Sequence, residues 1–311
     1  MAELPLLFPS VERQRLEPHL PPVSADSQQN DGEALKKPFV TLTFATSLDS
    51  ALSLGPGIRT ALSGPQSKAM THYLRSRHDA ICVGVGTAIA DDPGLNCRLV
   101  TECPDLETSP DASTAGVGAL LGLASLSSCE SAAKKMRHTY TSHQPRPIVI
   151  DPNLRWNFTA ESKVMRLARV GRGQAPYIIT RVSNPPMEQK KLLEELGGKF
   201  IAVADGAAKE SKRFNWNTIL DIIRNQGLRS VMVEGGGEVI NSLLSQDNTG
   251  LVDSVIVTIA PTWLGQGSVF VSPPRRNSAD GTPKAAARLT DTTWIPLGED
   301  VVLCGKIAPQ D

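Results

Sequence analysis

The chain has 311 residues, 40% hydrophobic and 21% charged, and its 32 Lys plus Arg balance 32 Asp plus Glu to a formal net charge of zero. This ordinary globular composition allows one large domain or two small ones. It lacks the basic face of a nucleic-acid binder, the short basic runs at 209–213 and 274–276 reading as solvated surface.

Residues 1–37 are rich in proline and polar residues without a sustained period, which predicts a flexible N-terminal tail with one short helix over Ser10–Leu16. The β-branched and aromatic run 39–45 predicts a strand, followed by turn-rich sequence to Ser63. Pro65 then falls in the first turn of a helix over 66–77, with Met70, Tyr73 and Leu74 on one face. A second strand is predicted over 80–85. The sequence after it, Gly84-Val85-Gly86-Thr87 and then 91–95, reads as loop. Residues 101–144, rich in Ala, Ser, Thr and Gly, predict an insertion that is partly helical near 112–135 or unstructured. Beyond it, strands at 147–150, Tyr177–Thr180, 200–203, 230–234, 253–259 and 300–305 alternate with helices at 187–196, 216–226 and 238–244. The alternation predicts one α/β domain over 38–308: a mostly parallel sheet, helices on both faces, and late antiparallel strands at an edge.

Ligands of an open parallel sheet bind beyond the carboxyl ends of its strands. After the apolar 231–233 come Glu234, Gly235, Gly236, Gly237, Glu238 and Val239. Consecutive glycines permit a sharp turn and bring bare N–H groups close to a charged ligand, and the positive end of the next helix suits a pyrophosphate. Gly84-Val85-Gly86 is G-x-G, but Ile89 stands where a dinucleotide fingerprint needs its third glycine, so alone it is weak. Thr87 and Asp91 add a hydroxyl and a carboxylate near the same strand ends. A third end, Thr46-Ser47-Leu48-Asp49, is by itself more often a turn.

Other chemistry lacks its signature. There is no GxxxxGK[ST] phosphate loop, no GxSxG elbow and no paired-histidine spacing for a metal; His72 and His78 read as packing or capping residues. The five scattered cysteines contain no CxxC pair, so neither a disulfide framework nor a zinc knuckle is expected. A start without a basic n-region does not read as a signal peptide, and the most apolar stretch, 116–126, is about half a membrane span. A soluble cytoplasmic protein is expected.

Taken in order, Thr41-Leu42-Thr43-Phe44-Ala45-Thr46-Ser47-Leu48-Asp49, then 70–75 with 79–87, 90–99, 145–151 and 233–237, resemble the riboflavin-biosynthesis reductase family. The likeness covers about 39–307 apart from the insertion. It implies a dihydrofolate-reductase-like fold, NADPH as cofactor, a homodimer, and reduction of the ribosyl side chain of a phosphorylated ribosylaminopyrimidine to ribityl. It also implies that Thr87, Asp91, Gly235, Gly236, Gly237, Glu238 and Val239 contact NADPH, with Thr180 a looser match. Glu234, Arg75, Leu95 and Arg98 would line the substrate pocket. The HxE and PCxxC motifs of the deaminase in bifunctional relatives do not occur, which implies reduction without deamination.

Hydride transfer is the cofactor's chemistry and needs no covalent nucleophile. A proton must still reach the ring oxygen as the ribose opens, and Asp49 or Glu234 is expected to order its donor or the pyrimidine amines, with water as the fallback. Arg75 and Arg98 are expected to grip the substrate phosphate as bidentate forks. Arg181, just after the strand Tyr177–Thr180, is expected at the 2′-phosphate of NADPH, with 209–213 as the alternative. The rival readings are a non-catalytic nucleotide sensor and an enzyme of the same fold acting on a pterin.

Overall fold

A computed structural model describes residues 6–22, 37–101, 139–140, 143–203, 213–278 and 280–309. In chain order the helices are α1 (Ser10–Leu16), α2 (Pro65–Ser76), α3 (Val85–Asp91), α4 (Lys163–Arg169), α5 (Met187–Glu195), α6 (Trp216–Asn225) and α7 (Gly237–Leu243). The strands are β1 (Phe39–Thr46), β2 (Ala51–Ser53), β3 (Ala80–Gly84), β4 (Val100–Thr101), β5 (Thr139–Tyr140), β6 (Arg146–Ile150), β7 (Tyr177–Thr180) and β8 (Lys199–Ala202), then β9 (Ser230–Gly235), β10 (Ser254–Ile259), β11 (Val269–Phe270), β12 (Arg276–Asn277), β13 (Pro283–Lys284), β14 (Leu289–Leu297) and β15 (Asp300–Ile307).

One sheet has the order β14-β15-β10-β1-β9-β3-β6-β7-β8. Its strands from β10 to β8 are parallel, and β15 and β14 join antiparallel at one edge. This is the mostly parallel sheet with late edge strands that the alternation predicts.

Period two then sorts side chains between the faces. Ala80 and Cys82 join Val231 and Val233 against Trp216, Ile219 and Ile223 of α6 and Ile240 of α7. Ile81 and Val83 point the other way, onto Val164 and Met165 of α4 and Leu193 of α5. Met232 shares that second side with Met70, Tyr73 and Leu74, the expected apolar face of α2.

Several elements depart from the sequence reading, α4 and β14 among them, which form where no element is expected. Residues 85–91 are helix rather than loop, because Val85 and Ala88, one turn apart, bury their side chains against the sheet. β14 buries only Ile295 and Leu297, alternating with exposed Trp294 and Pro296, since a strand with one partner tolerates proline and a mostly exposed first half.

The tail reading fails for residues 6–22. Phe8, Leu16 and Leu20 are buried among α2, Leu99, Leu297 and Val302. Phe8 stacks on Tyr73 with ring centroids 5.4 Å apart, and Glu17 pairs with Arg77. Leu6 donates its N–H to Arg98 O at 3.2 Å and accepts from Val100 N–H at 3.0 Å. Three widely spaced apolar side chains anchor this segment, too few to show a period.

The ends of the insertion are tied together. β4 pairs with β5, and the Gln144 amide bonds both the N–H (2.8 Å) and the C=O (3.0 Å) of Cys97. The helix expected near 112–135 lies outside the described residues.

Candidate active site

A cavity of about 340 Å³ opens where β3 and β9 end, and Arg75, Thr87, Asp91, Leu95, Arg98 and Glu234 line it together. Sequence reasoning placed all six at the site. It missed Arg59, Lys68, Thr71, His72, Asn96 and Lys163, which complete much of the wall.

Lys68, Thr71, His72 and Arg75 recur at i, i+3, i+4 and i+7, one stripe of α2 beside its apolar stripe. That polar period was the signal available in the sequence. Arg59, Lys68, Arg75, Arg98 and Lys163 face the carboxylates of Asp91 and Glu234 alone among the lining residues, so the cavity favours an anion. Burial pushes the Asp91 carboxyl up, opposed by Arg59.

Glu234 arrives by strand alternation. It follows Met232 by two, so it points to the α2 side. The β3–β9 register pairs Cys82 with Val233 but Val83 with Gly235, which leaves Glu234 as the extra residue of a bulge. Bulges of this kind re-aim a side chain at a sheet end. Arg75 Nε–H donates to Glu234 Oε1 at 2.8 Å and its NH2 group to Oε2 at 2.7 Å; a further N–H reaches Asn96 O at 3.0 Å. The two side chains are 14% and 17% exposed. The fork expected for the substrate phosphate is thus closed on Glu234, a correction to the sequence reading of Arg75.

The wall at 92–95 holds strain. Asp92 (φ +40°) and Leu95 (φ +50°) are left-handed, and Leu95 is fully buried. A non-glycine residue so placed costs about 1–3 kcal/mol and persists where its surroundings fix it. Asp92 accepts the Lys163 N–H at 3.0 Å, and Asn96 donates to Arg172 O at 2.8 Å.

His72 receives two donors from one residue: Arg98 N–H to Nδ1 at 3.1 Å and Arg98 Nε–H to Nε2 at 3.2 Å. Burial, then Arg75 and Arg98, pushes its pKa down to about 2. His78, fully buried between Thr41 Oγ1 and Leu74 O at 2.7 Å each, is pushed down by burial to about 4. Both rings titrate at 6.5 ordinarily, so below that pH the unfolded chain binds more protons than the folded one. Folding stability is expected in full above pH 6.5 and falls as pH drops from there toward 4. Urea midpoints across that window check this, and a flat midpoint contradicts neutral burial.

The glycine turn has reasons of its own. Gly235 (φ +96°) and Gly236 (φ +89°) are left-handed. A Cβ on Gly235 would lie 2.7 Å from Ile240 Cδ1, one on Gly236 3.0 Å from Thr87 Oγ1, and one on Gly237 2.8 Å from Val269 Cγ1. Thr87 Oγ1–H donates to Gly235 O at 3.2 Å, which ties the turn to α3. Val239 packs over Gly84, and Glu238 is exposed, 3.7 Å from Arg213.

Other expected residues sit apart from the cavity lining. Asp49 accepts from Ser47 Oγ–H, from Leu264 N–H at 3.1 Å and from Gly265 N–H at 2.8 Å, and these bonds hold its carboxyl down at about 2. Its carboxylate fastens two loops and stays ionised, so it is not itself the acid. Thr180 is buried, its hydroxyl on Pro152 O at 3.3 Å. Arg181 follows it with its guanidinium 4.6 Å from the Phe214 ring centroid. Residues 209–212 lie outside the described residues.

A cationic cavity and a glycine turn at the carboxyl ends of a parallel sheet define an α/β enzyme of the kind that binds phosphorylated ligands there. The family model described as the RibD C-terminal domain matches residues 38–303, and the chain belongs to that family. It is 36% identical to the 2,5-diamino-6-ribosylamino-4(3H)-pyrimidinone 5′-phosphate reductase of Candida glabrata, over 89% of this chain and 92% of the relative. With the Saccharomyces cerevisiae protein of the same name the identity is 35%, over 87% of each. The solved structure of the S. cerevisiae riboflavin biosynthesis reductase Rib7 superposes with a TM-score of 0.65 at 30% identity, covering 96% of this chain and 99% of that one. Acinetobacter baumannii RibD, at 20% identity and a TM-score of 0.58, shares the fold.

Proposed function

We propose that this chain is an NADPH-dependent oxidoreductase that reduces the ribosyl side chain of 2,5-diamino-6-ribosylamino-4(3H)-pyrimidinone 5′-phosphate to the ribitylamino product, in riboflavin biosynthesis. The observation that carries this reading is a cationic cavity joined through Thr87 to a left-handed glycine turn, in a chain matching like-named reductases over most of their length.

The residues present fit a nicotinamide dinucleotide. Gly236 carries no Cβ, which would lie 3.0 Å from the Thr87 hydroxyl, so bare backbone amides can approach phosphate oxygens there. Thr87, Asp91 and Gly235 to Val239 hold this part of the cofactor, and Thr180 and Arg181 lie at the end of β7, three strands from β9. NADPH supplies the hydride. Arg98, Lys68 and Lys163 offer cations to the substrate phosphate, and Leu95 packs against the substrate. The Arg75–Glu234 pair presents a fixed dipole to the reacting end, where Glu234 orders the proton donor. Residues 38–308 act as one reductase domain with an insertion.

We also read the protein as a cytoplasmic homodimer. No helix among the described residues is long and apolar enough to cross a membrane. The exposed side chains of Leu48, Leu54, Ile58, Trp263 and Phe270, on and around the paired β2 and β11, support a subunit contact.

Loss of nicotinamide absorbance with the ribosylaminopyrimidine phosphate tests the reaction. NADPH binding without turnover favours the sensor, and turnover of dihydrofolate instead favours the pterin enzyme. Arg181→Ala is expected to cut the preference for NADPH over NADH about tenfold, or about 1.4 kcal/mol. An unchanged ratio of kcat/KM for the two cofactors removes Arg181 from the 2′-phosphate site.

A further inference from the structure

We propose that Gln144 is a positioning residue of the active site: its carboxamide holds the main chain of Cys97 so that Asn96 and Arg98, on either side, keep their places in the cavity wall. The inference rests on the function proposed above for the identity of the substrate, and on the geometry alone for the wall.

Asn96, Cys97 and Arg98 lie in neither helix nor strand, so their backbone groups must find partners elsewhere. Asn96 O accepts from Arg75 at 3.0 Å, Arg98 N–H donates to His72 Nδ1 at 3.1 Å, and Arg98 O accepts from Leu6 N–H at 3.2 Å. Cys97, only 2% exposed, depends on Gln144 for both of its groups. Its N–H donates to Gln144 Oε1 at 2.8 Å, and its C=O accepts from Gln144 Nε2–H at 3.0 Å. An amide N–H only donates and a carbonyl only accepts, which fixes the orientation of the carboxamide.

The glutamine is itself held. Gln144 O accepts from the Gln174 side chain, His143 Nε2–H donates to His78 O at 2.9 Å, and β6 begins two residues on. Gln144 is therefore the fixed side of the contact, and the wall is the side that yields. Leu95, next to Asn96, is left-handed at φ +50°. Strain of that kind persists only where the surroundings over-determine it. Without the carboxamide, Cys97 would bury an unpaired N–H and C=O beside a strained residue, a cost that movement of the wall relieves. Such movement carries Asn96 and Arg98, both of which line the cavity. Arg75 keeps its two bonds to Glu234, and the glycine turn lies between β9 and α7, so the reacting end and the cofactor side stay in place.

Gln144→Leu keeps the bulk of the side chain and removes both bonds; Gln144→Glu keeps an acceptor for the Cys97 N–H and loses the donor to its C=O. In Gln144→Leu, KM for the pyrimidine phosphate is expected to rise about tenfold, with kcat and KM for NADPH within about twofold of the wild type, the pattern of lost uniform binding. Gln144→Glu is expected to fall between Gln144→Leu and the wild type, and it carries the test if Gln144→Leu does not fold. General damage to the fold moves all three constants together, or lowers the thermal midpoint and moves none of them; either result overturns the proposal. Calorimetric titration with inorganic phosphate does not depend on turnover, and is expected to show roughly threefold weaker binding to Gln144→Leu than to the wild type. If the wild type does not turn over the pyrimidine phosphate, the proposed reaction fails, and the titration decides the role of Gln144: equal affinities, or no binding by the wild type, overturn it.

Discussion

Replacing Gly235 with alanine is expected to lower the thermal unfolding midpoint by roughly 6 °C. The left-handed backbone, φ +96°, costs an L-residue about 1–2 kcal/mol. The new Cβ would also lie 2.7 and 2.8 Å from two carbons of Ile240, and Ile240 belongs to a packed core with little room to move. Overpacking of that kind costs about 1–3 kcal/mol, so the sum is about 3 kcal/mol. At about 2 °C per kcal/mol for a domain of this size, the shift is the one given. Gly171→Ala is the control: φ there is +67°, and nothing lies within 4 Å of its would-be Cβ. It is expected to show the backbone cost alone, roughly 3 °C. Calorimetric midpoints that agree for the two variants would sink the steric part of the argument. Because Gly235 follows Glu234 directly, a turn forced open at 235 also displaces the carboxylate held by Arg75, so kcat/KM is expected to fall with stability.

What the sequence discloses here follows from how local each signal is. Buried parallel strands read as short apolar runs, so a mostly parallel sheet, though not the order of its strands, could be anticipated from alternation, and the glycine turn was visible as three consecutive glycines. The meaning of that turn was less visible. Its glycines are required by Ile240, Thr87 and Val269, contacts from α7, α3 and β11 that no local pattern reveals. Of the six lining residues recovered from sequence, Thr87, Asp91 and Glu234 stand out at strand ends, while Arg75, Leu95 and Arg98 came through family resemblance. Lys68 lies on the polar stripe of α2 beside the apolar one that announces the helix, and His72, near the end of that helix, reads locally as a packing or capping residue. Asp49 was ambiguous for a related reason: a carboxylate at a strand end suits catalysis or loop fastening equally, and its fastening partners, the amides of Leu264 and Gly265, lie more than two hundred residues on. Residues 6–22 carry too few apolar anchors to announce that they belong to the core.

Removing either member of the Arg75–Glu234 pair is expected to be costly in two separate currencies, and a double substitution distinguishes them. Glu234→Ala leaves a guanidinium 14% exposed without its bidentate partner. Breaking a fully buried pair costs about 3–5 kcal/mol; with this much exposure, about 2–3 kcal/mol is expected. Arg75→Ala is expected to cost a similar amount, because Glu234 then sits unpaired at the end of a bulged strand. Arg75→Met with Glu234→Leu restores apolar packing and is expected to recover most of the stability, since a buried ion pair and a hydrophobic replacement are often near equal. Activity behaves differently. All three proteins are expected to lose at least a hundredfold in kcat/KM, or about 2.7 kcal/mol, because no apolar pair presents a fixed dipole to the reacting end. Urea unfolding of the wild type, Arg75→Met, Glu234→Leu and the double variant gives the coupling energy, and steady-state rates give the catalytic loss. Additive stability losses would mean that the two side chains are not a unit. A double variant that regains activity along with stability would mean that the pair only braces the wall, and that the proton donor is ordered by some group other than Glu234.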